Sequence, residues 1–168
     1  MYDPDVHHRR SIRLSGYDYT QAGVYFVTVC VQDRACFLGQ ICDSQMQENA
    51  AGQMVRTAWE QIPVRYPGAD VDEFVIMPNH VHGILLLTES AQEDASFSLT
   101  DVVHRWKSWT TTLYRHGVYE QGWPPFPARL WQRNYYEHIV RNEGEWQTVQ
   151  DYIRNNPAHW QSDDEYIP

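Results

Sequence analysis

Two apolar runs separated by a polar turn dominate the hydropathy pattern. Phe74-Val75-Ile76-Met77 leads into Pro78-Asn79, and His80-Val81-His82-Gly83-Ile84-Leu85-Leu86-Leu87 follows. Runs of this length read as two buried strands, about 70–77 and 80–88, joined by a tight turn. Strand side chains alternate, so His80 and His82 share one face, roughly 7 Å apart along the backbone, while Val81, Leu85 and Leu87 share the other. An earlier strand is expected at Val24-Tyr25-Phe26-Val27-Thr28-Val29-Cys30-Val31, which is β-branched and aromatic throughout. Residues 32–44, with Phe37-Leu38-Gly39, read as a hairpin-like excursion.

Three stretches carry helical periodicity instead. Over 47–62, Ala51, Met54, Val55, Ala58, Trp59 and Ile62 recur at three- and four-residue steps, with Asn49 as a cap and Pro63 and Pro67-Gly68 closing the segment. After a polar loop at 89–97, Ser98 and Asp101 form a capping-box pattern. The helix they open has the stripe Leu99, Val102, Val103, Trp106, Thr110 and Leu113, with Arg105, Lys107 and Arg115 off it. A Gly/Pro-rich connection at 117–129 leads to an extended, aromatic and basic segment at 130–138, and 138–141 reads as the start of a short helix. Asn142 caps the last helix, whose stripe is Trp146, Val149 and Ile153 and which Pro157 stops.

This order predicts an α+β fold: a ferredoxin-like antiparallel sheet with helices packed on one face, plus a C-terminal helix. A chain of 168 residues fits one domain over 1–168, with 1–22 as a basic arm and 158–168 as a tail.

Composition narrows the functional classes. No run approaches the roughly 20 apolar residues of a membrane span, and Met1 to Arg13 lacks the apolar core of a signal peptide. A cytoplasmic protein with no membrane partner is expected. Cys30, Cys36 and Cys42 are odd in number and form no C-x-x-C pair, which reads as reduced structural cysteines. The net charge of −9 argues weakly against a broad nucleic-acid-binding surface. Charge is uneven, however. Residues 104–154 hold seven basic side chains against five acidic ones, while Glu93-Asp94 and Asp163-Asp164-Glu165 are acidic clusters.

The last helix carries Tyr152 and Asn156, an i, i+4 pair on one face and off the apolar stripe. If that face lies over His80 and His82, the Asn156 oxygen supplies a third metal ligand and the Tyr152 phenol lies beside the ion. Two imidazoles and one amide oxygen leave positions open, which suits Mg²⁺ or Mn²⁺ polarising a phosphate better than a closed zinc site.

Met77-Pro78-Asn79-His80-Val81-His82-Gly83-Ile84, joined to Tyr152-Ile153-Arg154-Asn155-Asn156-Pro157, resembles the single-tyrosine HUH transposases, in particular the REP-associated tyrosine transposases. The resemblance extends to Arg9-Arg10-Ser11-Ile12-Arg13-Leu14, Tyr25-Phe26-Val27-Thr28 and Trp131-Gln132-Arg133-Asn134-Tyr135-Tyr136. It implies that His80, His82 and Asn156 are metal ligands and that Tyr152 is the nucleophile. The implied reaction is cleavage and rejoining of single-stranded DNA at hairpins such as REP-like palindromes. It runs through a 5′-phosphotyrosine intermediate, in a monomer or in a homodimer that exchanges tyrosines.

Arg9, Arg10, Arg105, Lys107, Arg133 and Arg154 are the candidates for contacting DNA phosphates, and Trp131, Tyr135 and Tyr136 for stacking on bases. Tyr135 and Tyr136 are also rival nucleophiles. Two other functions fit the residues. One is a domesticated, catalytically weak protein that only binds hairpin DNA. The other is a metallohydrolase using a histidine-activated water, for which Tyr152 would be dispensable.

Overall fold

The computed structural model describes residues 21–88 and 97–167, so the expected contacts of Arg9 and Arg10 lie outside the described residues. Its centre is a four-stranded antiparallel sheet in the order β4-β5-β1-β6, where β1 is Gly23–Cys30, β4 Ala69–Ile76, β5 His80–Leu87 and β6 Tyr136–Val140. β1 and β5 are the inner strands, and both read as near-continuous apolar runs, as strands covered on two faces should. Their register sets Thr28 opposite His82 and Cys30 opposite His80. A separate hairpin, β2 (Gly39–Cys42) with β3 (Gln45–Glu48), occupies the expected excursion.

Helices α1 (Ala50–Glu60) and α3 (Leu99–Gln121) cover the face opposite the histidines. Tyr25, Val27, Val29 and Val31 of β1 and its extension point into this layer and are fully buried. Trp59 of α1 meets Trp106 of α3 edge-on at 5.2 Å between ring centroids, and Trp106 in turn meets Trp131 at 5.2 Å. Both helix starts are capped as the sequence predicts: Asn49 accepts from the Gly52 N–H, and Ser98 and Asp101 form a reciprocal capping box.

A glycine next to the histidines makes this packing possible. A Cβ on Gly83 would lie 2.4 Å from Cζ2 of Trp59. Gly83→Ala is therefore expected to force Trp59 off its seat and to destabilise the fold by about 1–3 kcal/mol, read as a lowered urea midpoint with an unchanged slope.

Several boundaries differ from expectation. Pro63 does not end the first helix; it sits in the first turn of a short following helix, α2 (Ile62–Arg65), where its missing N–H costs nothing. α3 continues through Gly117 to Gln121, because that glycine leaves room for Trp123 to fold back over the helix, and Gly122, with φ +70°, ends it. Residues 138–141 do not start a helix. Tyr136–Val140 pair with Thr28–Val24 of β1, and four residues are too few for periodicity to reveal that.

The last helix, α4 (Glu143–Asn155), lies on the histidine face of the sheet. Asn142 caps it through the Glu145 N–H at 2.9 Å, as predicted. Pro157 converts it to a 3-10 helix, Asn156–Ser162, rather than stopping it, so the expected tail is ordered structure packed against the sheet. β4 bends at an irregularity between Val71 and Phe74, which turns Asp72 and Glu73 towards α4. Asp72 accepts from Trp146 Nε1 at 2.6 Å and Gln150 Nε2 at 2.7 Å, and Glu73 pairs with Arg154 at 2.6 Å.

Candidate metal and tyrosine site

His80 and His82 lie side by side on β5, fully and almost fully buried, with their Nε2 atoms 2.9 Å apart. Neighbouring groups fix their orientation. The amide nitrogen of Asn79 donates to the backbone carbonyls of Arg34 and Glu165, at 3.1 and 2.8 Å. That leaves the Asn79 Oδ1 to accept from His80 Nδ1 at 2.8 Å. The proton on Nδ1 makes His80 Nε2 a bare lone pair aimed into the site. His82 Nδ1 meets the Thr28 hydroxyl at 2.8 Å. A hydroxyl can donate or accept. When Thr28 donates, the His82 Nε2 proton bridges to His80; when Thr28 accepts, both Nε2 atoms become free acceptors. Burial, reinforced by His82, holds His80 well below the ordinary histidine range, which keeps it neutral.

Tyr152 and Asn156 project from the face of α4 and its continuation that lies over these rings. The Tyr152 hydroxyl is 3.3 Å from His82 Nε2, and its ring packs edge-on to Phe26 at 5.9 Å. Phe26 also stacks on His82 at 5.5 Å. Tyr152 as a residue remains 48 % exposed. Burial of the rest of the side chain, with Asp163 and Asp164 adding to it, pushes the phenol up to about 12. Asn156 is 2 % exposed. Its amide nitrogen donates to Asp163 Oδ2 at 2.9 Å, while its Oδ1 is buried with no partner among the described residues.

Asp163 belongs to the acidic cluster Asp163-Asp164-Glu165. The 3-10 helix brings it back to 3.7 Å from His82 Nε2, with 2 % of its side-chain surface exposed. Burial opposes its ionisation, but the nearby His82 imidazole and hydrogen bonds from Asn156 and the Glu165 N–H outweigh this and hold the carboxyl below its ordinary range. His80, His82 and Asp163 each offer a donor atom within 4.8 Å of the others. Trp160, on the same 3-10 helix, lies over His80 at 6.0 Å. Nothing local in the sequence marked Asp163; the only signal was its distance of seven residues from Asn156.

The donor set fits a divalent cation. Two imidazole nitrogens and one carboxylate lie within 4.8 Å of one another, and Asn156, hydrogen-bonded to that carboxylate, carries a buried amide oxygen with no partner among the described residues.

The remaining candidates separate. Tyr135 is 9 % exposed and meets Thr100 and His104 in the helical layer, away from the histidines. Tyr136 is 42 % exposed and lies 6.2 Å from Phe26, at the rim of the site. Trp131 is buried with its indole N–H on Thr110, so it has no face for a base. Arg105 stacks over Phe97. Lys107 is buried rather than solvated, and Arg154 is committed to Glu73 and Asp151. The cysteines are free thiols. No helix among the described residues is long and apolar enough to cross a membrane.

Residues 25–156 match the family described as "Transposase IS200 like", and the chain belongs to that family. Within it, the chain is similar to the REP-associated tyrosine transposases. The one from Escherichia coli is 25 % identical, over 83 % of this chain and 69 % of that protein. An uncharacterised protein of Haemophilus influenzae is 38 % identical over 99 % of this chain and 97 % of its own length. The solved structure of a REP-associated tyrosine transposase bound to a REP hairpin shares the fold, with a TM-score of 0.59 and 24 % identity, covering 86 % of this chain and 73 % of that one.

Proposed function

We propose that this protein is a metal-dependent single-stranded DNA endonuclease and strand transferase that acts beside DNA hairpins, such as REP-like palindromes, through a 5′-phosphotyrosine intermediate. The observation that carries the reading is the hydroxyl of half-exposed Tyr152, 3.3 Å from His82 Nε2, over a buried cluster of atoms able to ligate a metal. Mg²⁺ or Mn²⁺ would be held by His80, His82 and Asn156, with Asp163 as a further ligand. When bound it would polarise the scissile phosphate and offset developing charge.

The chain's own residues account for the other requirements. Phe26 and His82 hold the phenol ring so that its oxygen faces the cluster. In the proposed step, the Tyr152 oxygen bonds to phosphorus and the bond from phosphorus to the 3′ oxygen breaks. The phenol gives up its proton and the departing 3′ oxygen gains one, so the exchange is proton-neutral. Rejoining reverses the step with another 3′ hydroxyl. The phosphodiester energy is conserved in the intermediate, so no nucleotide cofactor is required. A phenol whose proton is held this tightly is a weak nucleophile alone, which is why the reading needs the cation.

Asp72 and Glu73 fasten α4 to β4 of the same chain. This supports a tyrosine acting with its own chain's histidines, in a monomer. The partnerless Asn156 oxygen, and the Asn79 and Thr28 contacts that orient the two imidazoles, favour catalysis over simple hairpin binding.

The test is a denaturing gel of protein incubated with Mn²⁺ and oligonucleotides taken from the hairpins flanking its gene. A covalent adduct that EDTA prevents supports the reading. Cleavage without any adduct would instead favour the water-using hydrolase.

A further inference from the structure

α3 and the segment Ala128–Arg133 enclose a groove of about 360 Å³ whose lining carries four cations and no acidic residue. They are Lys107, Arg115, Arg129 and Arg133, in a chain with a net charge of −9. We propose that this groove grips the phosphodiester backbone of the base-paired stem of a DNA hairpin, and so holds the substrate beside the cleavage site. This rests on the reading that the protein acts on hairpin DNA.

The groove is built rather than incidental. Lys107, 9 % exposed, spans its floor, and its ammonium donates to the carbonyls of Gln132 and Arg133 at 2.6 and 3.1 Å. These bonds tie one wall to the other and fix Arg129 and Arg133 relative to Arg115. An ammonium has three protons, so one remains for an anion. Burial, and then the nearby Arg129, lower Lys107 to about 8, an electrostatic cost that a bound phosphate would relieve.

The rim arginines also carry no ion-pair partner among the described residues, a state they share with Arg65, Arg105 and Arg141. Arg34, Arg56 and Arg154 each face a glutamate. Arg115, Arg129 and Arg133 are exposed and make no ion pair among the described residues; Arg115 only overlies Phe126 at 5.7 Å. Guanidinium groups of this kind are suited to phosphate oxygens. The Thr111 and Thr112 hydroxyls donate to the carbonyls of Lys107 and Ser108, so the cations carry the recognition.

Two features favour a duplex stem over a single strand. Binding of unpaired strands relies on exposed aromatic faces, and the one aromatic ring in the lining, Trp131, is 3 % exposed. Cations without stacking surfaces hold nucleic acid chiefly through phosphate oxygens, which both strands of a stem present. The position fits as well. Val31 pairs with Trp131, and the Gln132 N–H donates to Cys30, whose strand partner is His80. The groove thus lies at the histidine end of the sheet but in the α3 layer, apart from the phenol.

The test is fluorescence anisotropy with a blunt-stemmed hairpin and, separately, an unstructured single strand, each across a KCl series. The proteins are wild type, Arg115→Ala, Arg129→Ala, Arg133→Ala, the triple variant and the matching triple Arg→Lys variant. Each Arg→Ala change is expected to weaken hairpin binding on the order of threefold to tenfold and to flatten the slope of log K against log salt by about one. The Lys variant should recover most of the affinity. A triple Ala variant that binds the hairpin with wild-type affinity and slope overturns the proposal, even if adduct still forms. A loss confined to the single strand overturns it in favour of a single-strand groove. Groove-dependent hairpin binding with no adduct from wild type would keep the groove and remove the nuclease reading. Wild type that binds no hairpin removes both.

Discussion

Tyr152→Phe is expected to abolish the covalent protein–DNA adduct completely while leaving hairpin binding intact. The substitution removes one oxygen from a half-exposed ring and keeps the edge-on contact with Phe26. The fold should therefore change by no more than about 0.5 kcal/mol, the range of surface substitutions. No phenol takes its place easily. Tyr135 is buried in the helical layer, and Tyr136 lies beyond Phe26 at the rim. If the variant still forms adduct on a denaturing gel, Tyr136 becomes the nucleophile and the helix-over-histidines argument falls. If it still cleaves without adduct, water is the attacking group.

His80→Ala is expected to have the largest effect on metal response. In wild type, Mn²⁺ at about 100 times its Kd should stabilise the fold by about 2.7 kcal/mol. For a chain of this size that is a rise in Tm of roughly 5–10 °C. The variant loses one of the two imidazoles proposed to hold the ion, so the same Mn²⁺ concentration should leave its Tm unmoved and adduct formation should cease. Without metal the variant should also be less stable by about 1–3 kcal/mol, because Asn79 Oδ1 loses its donor in a buried place. Thermal melts with and without Mn²⁺ decide this. A wild-type Tm indifferent to Mn²⁺, or a variant that responds as wild type does, would remove the metal from the account.

What the sequence disclosed follows from the range of the forces involved. The shared face of His80 and His82 follows from strand alternation, and the proximity of Tyr152 to Asn156 from one helical turn; both are local and both were legible. The helix caps at Asn49, Ser98 and Asn142 were legible for the same reason. Asp163 was not. It reaches the site through a 3-10 helix held by contacts to Asn79, Arg34 and His80, residues remote in sequence. The burial of Lys107, which lies off the apolar stripe of α3, was not legible, because nothing in α3 records the carbonyls of Gln132 and Arg133 that receive it. Asp72 and Glu73 seemed ordinary strand residues, since the bend in β4 that aims them at α4 is a property of pairing with β5.

The most direct test of the tyrosine assignment is to locate the adduct chemically. Protein captured on an oligonucleotide is digested with nuclease and trypsin, and the nucleotide-bearing peptide is sequenced by mass spectrometry. Cleavage after Arg141 and Arg154 releases Asn142–Arg154, a peptide whose single tyrosine is Tyr152. A nucleotide-sized mass on that residue is the expected result. The same mass on Asn134–Arg141, which carries Tyr135 and Tyr136, would contradict it.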